Sequence, residues 1–320
     1  MFLRQTPEST LAPHFPGNGP IFLTSEVMDP MKAPRQKMQG AHSSETRPMT
    51  TPLHPLDLAT QLTPSDDGRL MGRTSGAYWN MMGPFGGTTA ATLLRAALEA
   101  PQRLGDPVAL TVNFCAPIAE GAFEIGLSEA RTNRSTQHWT MVLSQEHGIA
   151  ATASAVFAKR RETWAHQPAE RPTLPPAETL PRLETEGRNA WLQRYEFRFA
   201  EGPMVLDPRA DNDPASAYSE LHVRDLPERK LDFVSLAALT DIFFVRIFQV
   251  RGRLVPAGTV SLTSYFHTDA AGLEAQGTKP LTGTADSNVF RQGFFDQTAK
   301  LWGADGTLLA TTVQTVYYKE

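Results

Sequence analysis

The chain has 320 residues, 41% of them hydrophobic, so it is long enough to bury the apolar cores of two ordinary domains. Its net charge of −4, with no dense stripe of Lys and Arg, argues against nucleic-acid binding. The single cysteine, Cys115, excludes an internal disulfide and a multi-cysteine metal site, and it fits a reducing, cytoplasmic location. We interpret Cys115 as a core residue of an apolar strand.

Two stretches of the chain have the composition of extensions or linkers. Residues 1–52 are rich in Pro, Ser, Thr, Gly and Met without sustained periodicity, which predicts a disordered N-terminal extension. They lack the long apolar core of a signal peptide, and we expect the biological start near Met49. A Pro- and Glu-rich stretch at residues 163–188 predicts a linker between two domains, residues 53–162 and 189–320.

The first domain contains one helical pattern among several strand patterns. Short strand-like segments occur at residues 56–62, 69–73 and 77–81. A run of small apolar residues at helical spacing then predicts a helix over residues 88–98. Long antiparallel strands are predicted after it, at residues 108–117, 123–130, 137–144 and 149–159.

The second domain repeats this order of elements, which indicates one module that was duplicated and fused. A helix-like run at residues 234–248 corresponds to the first helix, and strand patterns follow at 259–267, 297–302 and 306–316. A helix followed by antiparallel strands predicts an α+β architecture in each half. Because the two copies would form an internal pseudo-dimer, one half is free to lose a site that the other half keeps.

Asp241 is the only charged side chain between Phe233 and Val245, and its neighbours are apolar. A carboxylate in such a segment is costly to bury unless it has hydrogen-bond partners. One interpretation is an ordinary Asp that ends a helix or faces solvent along a narrow polar stripe. The other is a carboxylate held in an apolar cleft, where it orients and activates water.

Candidate partners for Asp241 lie in two strands. Thr259, Ser261 and Thr263 occupy alternate positions, and a period of two predicts that the three hydroxyls share one face. Gln314 lies in the last strand, whereas Ala155 stands at the matching position of the first half. The alternatives are ordinary threonines facing water and an exposed amide on an edge strand.

Gly86 and Gly87 stand where the first helix is predicted to begin. Backbone N–H groups at a helix N-terminus suit negative charge and glycine permits close approach, so these residues could bind a developing oxyanion. Close packing between the helix and the sheet explains the two glycines equally well.

Four segments, in this order, resemble those of the double-hotdog acyl-CoA thioesterases, the acyl-CoA thioesterase II group. They are Phe85-Gly86-Gly87, Leu239-Thr240-Asp241, Tyr265-Phe266-His267 and Ala310-Thr311-Thr312-Val313-Gln314. The resemblance covers residues 53–320 and implies a tandem double hotdog, two antiparallel sheets each wrapped around a central helix. The opening of the second helix departs from the His-Pro-rich opening expected in the closest relatives.

The resemblance implies that Asp241, Thr259 and Gln314 hold a water molecule for attack on the thioester carbonyl of an acyl-CoA. The products would be the free acid and CoA, and no metal or cofactor would be needed. A register slip of two residues would replace Thr259 by Ser261. The resemblance also makes Gly86 and Gly87 the candidates for polarising the thioester carbonyl.

Further expectations concern partners and rival functions. Arg134 and Arg291 occupy matching loops and are candidates for contacts with CoA phosphates, although a solvated arginine is the commoner outcome. The rivals are a non-catalytic acyl-CoA-binding hotdog protein and a hotdog enoyl-CoA hydratase or dehydratase. The Asp/His pattern of such hydratases is absent, and we interpret His267 as the end of a strand. We expect a homo-oligomer, a dimer or larger, because exposed sheet edges invite pairing, with no nucleic-acid or membrane partner.

Overall fold

A computed structural model describes residues 52–207 and 213–319. All but the last residue of the predicted N-terminal extension, residues 1–52, therefore lies outside the described residues. Within the described ranges, 13 strands form one antiparallel sheet, and the helices are few and short. No helix in these ranges is long and apolar enough to cross a membrane.

The first half contains one long helix followed by four long strands, as the sequence predicts. Its elements are α1 (Pro55–Ala59), β1 (Thr63–Pro64), β2 (Leu70–Arg73), α2 (Gly86–Leu98), β3 (Asp106–Phe114), β4 (Ala122–Thr132), β5 (Thr136–Gln145) and β6 (Gly148–Ala158). The predicted helix and long strands are confirmed to within a few residues.

Two predicted strands of the first half are wrong. Residues 56–62 begin in α1, because Pro55 starts the helix and the His54 ring accepts the N–H of Leu56. Residues 77–81 include a 3-10 turn, Gly76–Tyr78, which begins where the Ser75 hydroxyl accepts an N–H. In both segments a local cap outweighs the apolar pattern.

The second half repeats the arrangement with additional short elements. They are β7 (Tyr195–Glu201), β8 (Ser219–Asp225), α3 (Phe233–Leu239), α4 (Arg246–Arg251), β9 (Ala257–Phe266), α5 (Ala270–Gln276), β10 (Leu281–Asp286), β11 (Phe290–Arg291), β12 (Phe294–Trp302) and β13 (Leu308–Tyr318). The stretch 163–188 that we predict as a linker contains a single 3-10 turn, Ala177–Thr179, and no strand.

The two half-sheets join edge to edge through β3 and β9. The strand order is β1-β2-β4-β5-β6-β3-β9-β13-β12-β10-β8-β7, with β11 attached to β12. Thr111 of β3 lies opposite Thr263 of β9, and their hydroxyl oxygens are 3.0 Å apart. The pairs on either side, Ala109 with Tyr265 and Asn113 with Ser261, mirror each other about this point. The halves are therefore related by a pseudo-two-fold axis through the centre of one continuous sheet.

Helices α2 and α3 pack against each other on one face of the sheet, which we call the inner face. A Cβ on Gly87 would lie 2.4 Å from the carbonyl oxygen of Ala238, so glycine is required for this close approach. Nearly every residue of both helices is buried. The inner face and the two helices form the main hydrophobic core.

The helix predicted over residues 234–248 is not continuous. α3 ends at Leu239 and α4 begins at Arg246, and we call the intervening residues 240–245 the helix break. In contrast, α2 runs unbroken for 13 residues. The helix break contains Asp241, and the polar contacts that hold it are described below.

A β-bulge in β9 changes which hydroxyls face the core. Val316 pairs with Thr259 and Thr315 pairs with Ser261, so Val260 is the extra residue. An extra residue reverses the side-chain alternation on one side of the bulge. Thr259 therefore lies on the inner face and Ser261 on the opposite one, and the common face predicted for Thr259, Ser261 and Thr263 is wrong.

The same bulge occurs at the matching place in the first half. Phe157 pairs with Pro107 and Val156 pairs with Ala109, which leaves Val108 as the extra residue of β3. Equal registers and equal irregularities in the two halves support the duplication inferred from the sequence.

Candidate active site

Three side chains on the inner face form a hydrogen-bonded chain. The Thr259 hydroxyl donates to Oε1 of Gln314 over 3.1 Å, and Nε2 of Gln314 donates to Oδ1 of Asp241 over 2.8 Å. The backbone N–H of Gly87 also donates to the Asp241 carboxylate. Residues from β9, β13, the helix break and the start of α2 thus meet at one place.

Gln314 is the central member of this chain. It lies on the inner face of β13 and is only 3% exposed, so the alternative of an exposed amide on an edge strand does not hold. A buried amide needs hydrogen-bond partners, and Gln314 uses both its oxygen and its nitrogen here. Its two contacts set the relative positions of Thr259 and Asp241.

Asp241 lies in the helix break, where it is partly buried. Burial raises the pKa of its carboxyl to about 7, against the opposing effect of the hydrogen bonds from Gln314 and Gly87. A carboxyl with a pKa near neutrality can accept and return a proton at physiological pH. Asp241 therefore has the environment of a general base rather than that of a surface aspartate.

The first residue of the helix break is anchored to β9. The Thr240 hydroxyl donates to the Ala237 carbonyl over 2.8 Å and lies 2.7 Å from the hydroxyl of Ser264. Thr240 and Ser264 are both fully buried. This contact fixes the residue directly before Asp241 against the sheet.

The far end of the helix break is anchored to β12 and to α4. Oε1 of Gln297 accepts the backbone N–H of Arg246 over 3.2 Å, and Nε2 of Gln297 donates to the Phe243 carbonyl over 3.4 Å. Nε of Arg246 donates to the Phe244 carbonyl over 2.7 Å. Sequence reasoning missed Gln297 and Arg246. A glutamine within an otherwise inward-facing strand pattern was the available signal for Gln297.

The N-terminus of α2 lies directly against Asp241. A Cβ on Gly86 would lie 2.6 Å from Oδ2 of Asp241 and 3.3 Å from the ring of Phe114. A carboxylate at a helix N-terminus is favourable, because the N–H groups there point toward it. Both interpretations of the glycine pair therefore apply: Gly87 allows close helix packing, and its N–H meets a negative charge.

Aromatic side chains wall the site on its buried side. Phe85 precedes Gly86 and stacks on Trp191 with ring centroids 4.3 Å apart. Phe244 of the helix break lies 6.3 Å from Trp191. Tyr195 is buried among these rings, and the Asp241 charge is one of the influences that raise its pKa. The wall supplies an apolar surface beside the carboxylate.

The structure does not bring the remaining candidates together. Arg291 is exposed in β11, at the end of the sheet where β9 begins with Thr259. Arg134 is exposed in the turn between β4 and β5, at the opposite end. His267 follows the far end of β9 and contacts Thr311, away from Asp241. Cys115 is exposed rather than a core residue, because β3 ends at Phe114 before reaching it.

The first half holds no copy of the polar chain. The strand registers place each polar inner-face residue of the second half against an apolar residue in the first half. The pairs are Thr259 with Pro107, Ser264 with Val112, Gln297 with Trp139 and Gln314 with Ala155. Across residues 52–207 and 213–319, no group of three or more His, Cys, Asp or Glu side chains is placed to hold a metal ion.

A double hotdog with one polar site beside a helix N-terminus defines the class of protein, and comparisons with known proteins agree. The family model for the N-terminal domain of acyl-CoA thioesterases matches residues 76–158, and that for the C-terminal domain matches residues 168–318. The chain belongs to the acyl-CoA thioesterase family and is a thioester hydrolase. Comparison with curated proteins finds no significant match.

Solved structures show the same fold. A protein with a hotdog fold from Alicyclobacillus acidocaldarius is 43% identical, with a TM-score of 0.79, over 84% of this chain and 99% of its own. An acyl-CoA thioesterase II from Mycobacterium marinum is 17% identical, with a TM-score of 0.65, over 82% and 98%. A TesB protein from Mycobacterium avium subspecies paratuberculosis is also 17% identical, with a TM-score of 0.67, over 83% and 98%. The last two are similar in fold alone.

Proposed function

We propose that this chain hydrolyses acyl-CoA to a free carboxylic acid and CoA, with Asp241 as general base. The observation that carries the proposal is the hydrogen-bonded chain Thr259–Gln314–Asp241 at the N-terminus of α2. A carboxyl with a pKa of about 7 suits proton transfer at neutral pH. The family match supports acyl-CoA as the substrate class.

The reaction needs one water molecule and no covalent intermediate. Asp241 takes a proton from the water as its oxygen bonds to the thioester carbon. The carbonyl then re-forms, the carbon–sulfur bond breaks, and the CoA sulfur receives the proton from Asp241. Gln314 and Thr259 keep the carboxylate oriented toward the water throughout, which lowers the entropic part of the barrier.

The N-terminus of α2 stabilises the negative charge that develops on the carbonyl oxygen. The N–H groups of Thr88 and Thr89 bond to the Phe85 carbonyl, so the helix N-terminus presents Gly86 and Gly87 to the site. Because Gly87 already donates to Asp241, we assign orientation of the base to Gly87 and polarisation of the carbonyl to Gly86.

The two ends of the substrate lie on different sides of the carboxylate. The acyl group lies against the aromatic wall, and CoA extends past Thr259, which is only half-buried. Arg291 at this end of the sheet is the candidate for a CoA phosphate. Arg134 stays a candidate only for the matching end of the first half, where the polar chain is missing.

We further propose a homo-oligomer in the cytoplasm. The edge strand β7 pairs on one side only, with β8, and an unpaired edge favours association with a second sheet. The single cysteine fits a reducing compartment. Light scattering of the purified chain should give a mass at least twice that of the 35.2 kDa monomer.

The proposal is tested with a panel of acyl-CoA substrates of increasing chain length and free thiol as the readout. We expect hydrolysis by the wild type and a loss of about 10²-fold or more in kcat for Asp241→Asn, because the variant cannot accept a proton. Acyl-CoA binding, followed by calorimetry, should survive in the variant.

Two results would contradict the proposal. One is undiminished thiol release by Asp241→Asn. The other is a folded wild type that releases no thiol from any member of the panel. Addition of water to an enoyl-CoA by that same preparation would instead favour a hydratase.

A further inference from the structure

The helix break is held by one polar side chain from each of three neighbouring strands. Ser264 of β9 contacts Thr240, Gln314 of β13 contacts Asp241, and Gln297 of β12 contacts the end of the break. Gln297 and Gln314 lie directly opposite each other in their strands. These contacts form a polar row that crosses the inner face under the break.

The first half shows what happens without this row. Val112, Ala155 and Trp139 occupy the matching positions, and the helix above them, α2, is continuous. The two halves share strand registers and the β-bulge, so the difference lies in these inward-facing side chains. The polar row and the broken helix therefore occur together in one half and are missing together in the other.

Hydrogen bonding explains the connection. A break in a buried helix leaves backbone N–H and C=O groups without helical partners, and each unpaired group costs about 1–3 kcal/mol. Gln297 is 2% exposed and meets both needs, since its amide accepts from the Arg246 N–H and donates to the Phe243 carbonyl. The apolar Trp139 of the first half offers no acceptor or carbonyl-directed amide at that position.

We propose that Gln297 is a positioning residue for the thioesterase reaction: it holds the helix break so that the Asp241 carboxylate stays on Gln314 and the α2 N-terminus. This inference rests on the proposed function. Arg246 assists from the other side, because its Nε binds the Phe244 carbonyl while its Nη1 binds Ser219 and Gln249. Gln297 itself touches neither substrate nor water in this role.

Loss of Gln297 has a specific expected consequence. Without the amide, the backbone of residues 243–246 is better satisfied by continuing the helix, which would rotate Asp241 away from Gln314 and Gly87. The hydrogen bonds from Gln314 and Gly87 lower the carboxyl pKa, so their loss raises it above its value near 7. A residue that only stabilised the fold would leave that pKa unchanged.

The test compares Gln297→Leu with Gln137→Leu. Gln137 is a matched control because it is also a buried glutamine, 1% exposed, on the corresponding strand β5, where it bonds to the backbone of Leu104 and Gln102. For each chain we would measure kcat, KM, Tm and the carbon-13 titration of the Asp241 carboxyl. That signal is identified by its loss in Asp241→Asn.

For Gln297→Leu we expect kcat to fall about tenfold or more with KM within about twofold, because a misoriented base slows chemistry more than binding. The Asp241 titration should move to higher pH. Gln137→Leu should lower Tm without changing either quantity. If Gln297→Leu does not fold, Gln297→Glu, which keeps the acceptor for Arg246 but loses the donor to Phe243, is measured in the same way.

An unchanged Asp241 titration in a folded Gln297 variant would overturn the inference, as would equal kcat losses in the Gln297 and Gln137 variants. The titration does not depend on turnover. If the wild type released no thiol from any acyl-CoA, the proposed function would fail while the shift in titration would still decide the position of Asp241.

Discussion

At the scale of single residues, Asp241 gives up stability in exchange for a usable proton acceptor. An aspartate carboxyl ordinarily has a pKa of 3.8, and burial raises the pKa of Asp241 to about 7 in the folded chain. Because the folded-state pKa exceeds the unfolded one, folding favours the protonated form. The associated stability is fully present below about pH 4 and is lost as the pH rises through about 7.

Asp241→Asn should therefore be inactive and yet more stable than the wild type at alkaline pH. At pH 8 the wild type carries a desolvated carboxylate, and the variant avoids a penalty on the order of a few kcal/mol. The advantage should shrink toward pH 5, where Asp241 is protonated in the fold. Thermal denaturation at the two pH values measures the difference, and a variant less stable than the wild type at pH 8 would contradict it.

The same carboxyl sets the pH dependence of the reaction. Only the ionised form accepts a proton from water, so kcat/KM should rise with pH and level off above about 7. Initial rates of thiol release between pH 5 and pH 9 measure the profile. A profile that falls through this range would indicate that Asp241 acts as an acid instead.

At the scale of elements, two irregularities make the site. The bulge at Val260 turns the Thr259 hydroxyl toward Gln314, and the helix break turns Asp241 toward the same amide. A regular strand would place Thr259 on the same face as Ser261, opposite Gln314. A regular helix would carry Asp241 past its partner. Bulges and breaks of this kind commonly re-aim side chains next to functional sites.

Thr259→Val and Ser261→Ala separate the two hydroxyls. Each substitution removes one hydroxyl with little change in volume, but only that of Thr259 bonds to Gln314. We expect Thr259→Val to lower kcat about tenfold and Ser261→Ala to leave it within about twofold, because only the first frees the Gln314 oxygen. Steady-state rates of thiol release measure both. A larger loss in Ser261→Ala would mean that the strand slides in solution.

At the scale of the whole molecule, the pseudo-two-fold axis relates one polar site to one apolar remnant. The axis passes between Thr111 and Thr263, and the duplicated strands keep their registers on both sides. Only the second half keeps an amide, a hydroxyl and a carboxylate, whereas the first half supplies the helix N-terminus that faces them. Each half therefore contributes to the site in a different way.

This asymmetry predicts one binding event per chain. Asp241→Asn binds acyl-CoA without consuming it, so titration calorimetry can count the sites. We expect one equivalent of acyl-CoA per chain. Two equivalents of similar affinity would show that the apolar counterpart around Pro107 and Ala155 also binds the ligand.

Much of this architecture was readable from local patterns. The unbroken helix α2 and the long strands follow from periodicities that persist over ten or more residues, and burial of one face enforces them. The repeated order of elements indicated the duplication. Asp241 and Gln314 were visible as polar residues out of place in apolar surroundings, and the family resemblance supplied the link between them.

Other features depended on contacts between distant residues. The extra residue at Val260 is recognisable only when β13 pairs with β9, and the end of α3 is set by amides of β12 and β13 that lie more than 50 residues away in sequence. The N-cap at His54 likewise converted a strand pattern into a helix. In each position a specific hydrogen bond outweighed the apolar pattern.

The amino-acid sequence by itself determined the duplicated α+β plan and the lone carboxylate of the second half, because hydrophobic periodicity and isolated charge are local properties of the chain. The tertiary structure decided which hydroxyl joins Gln314, where the second helix breaks, and which half bears the polar site. Those outcomes depend on buried hydrogen bonds between strands and helices, and such bonds exist only once the sheet has assembled.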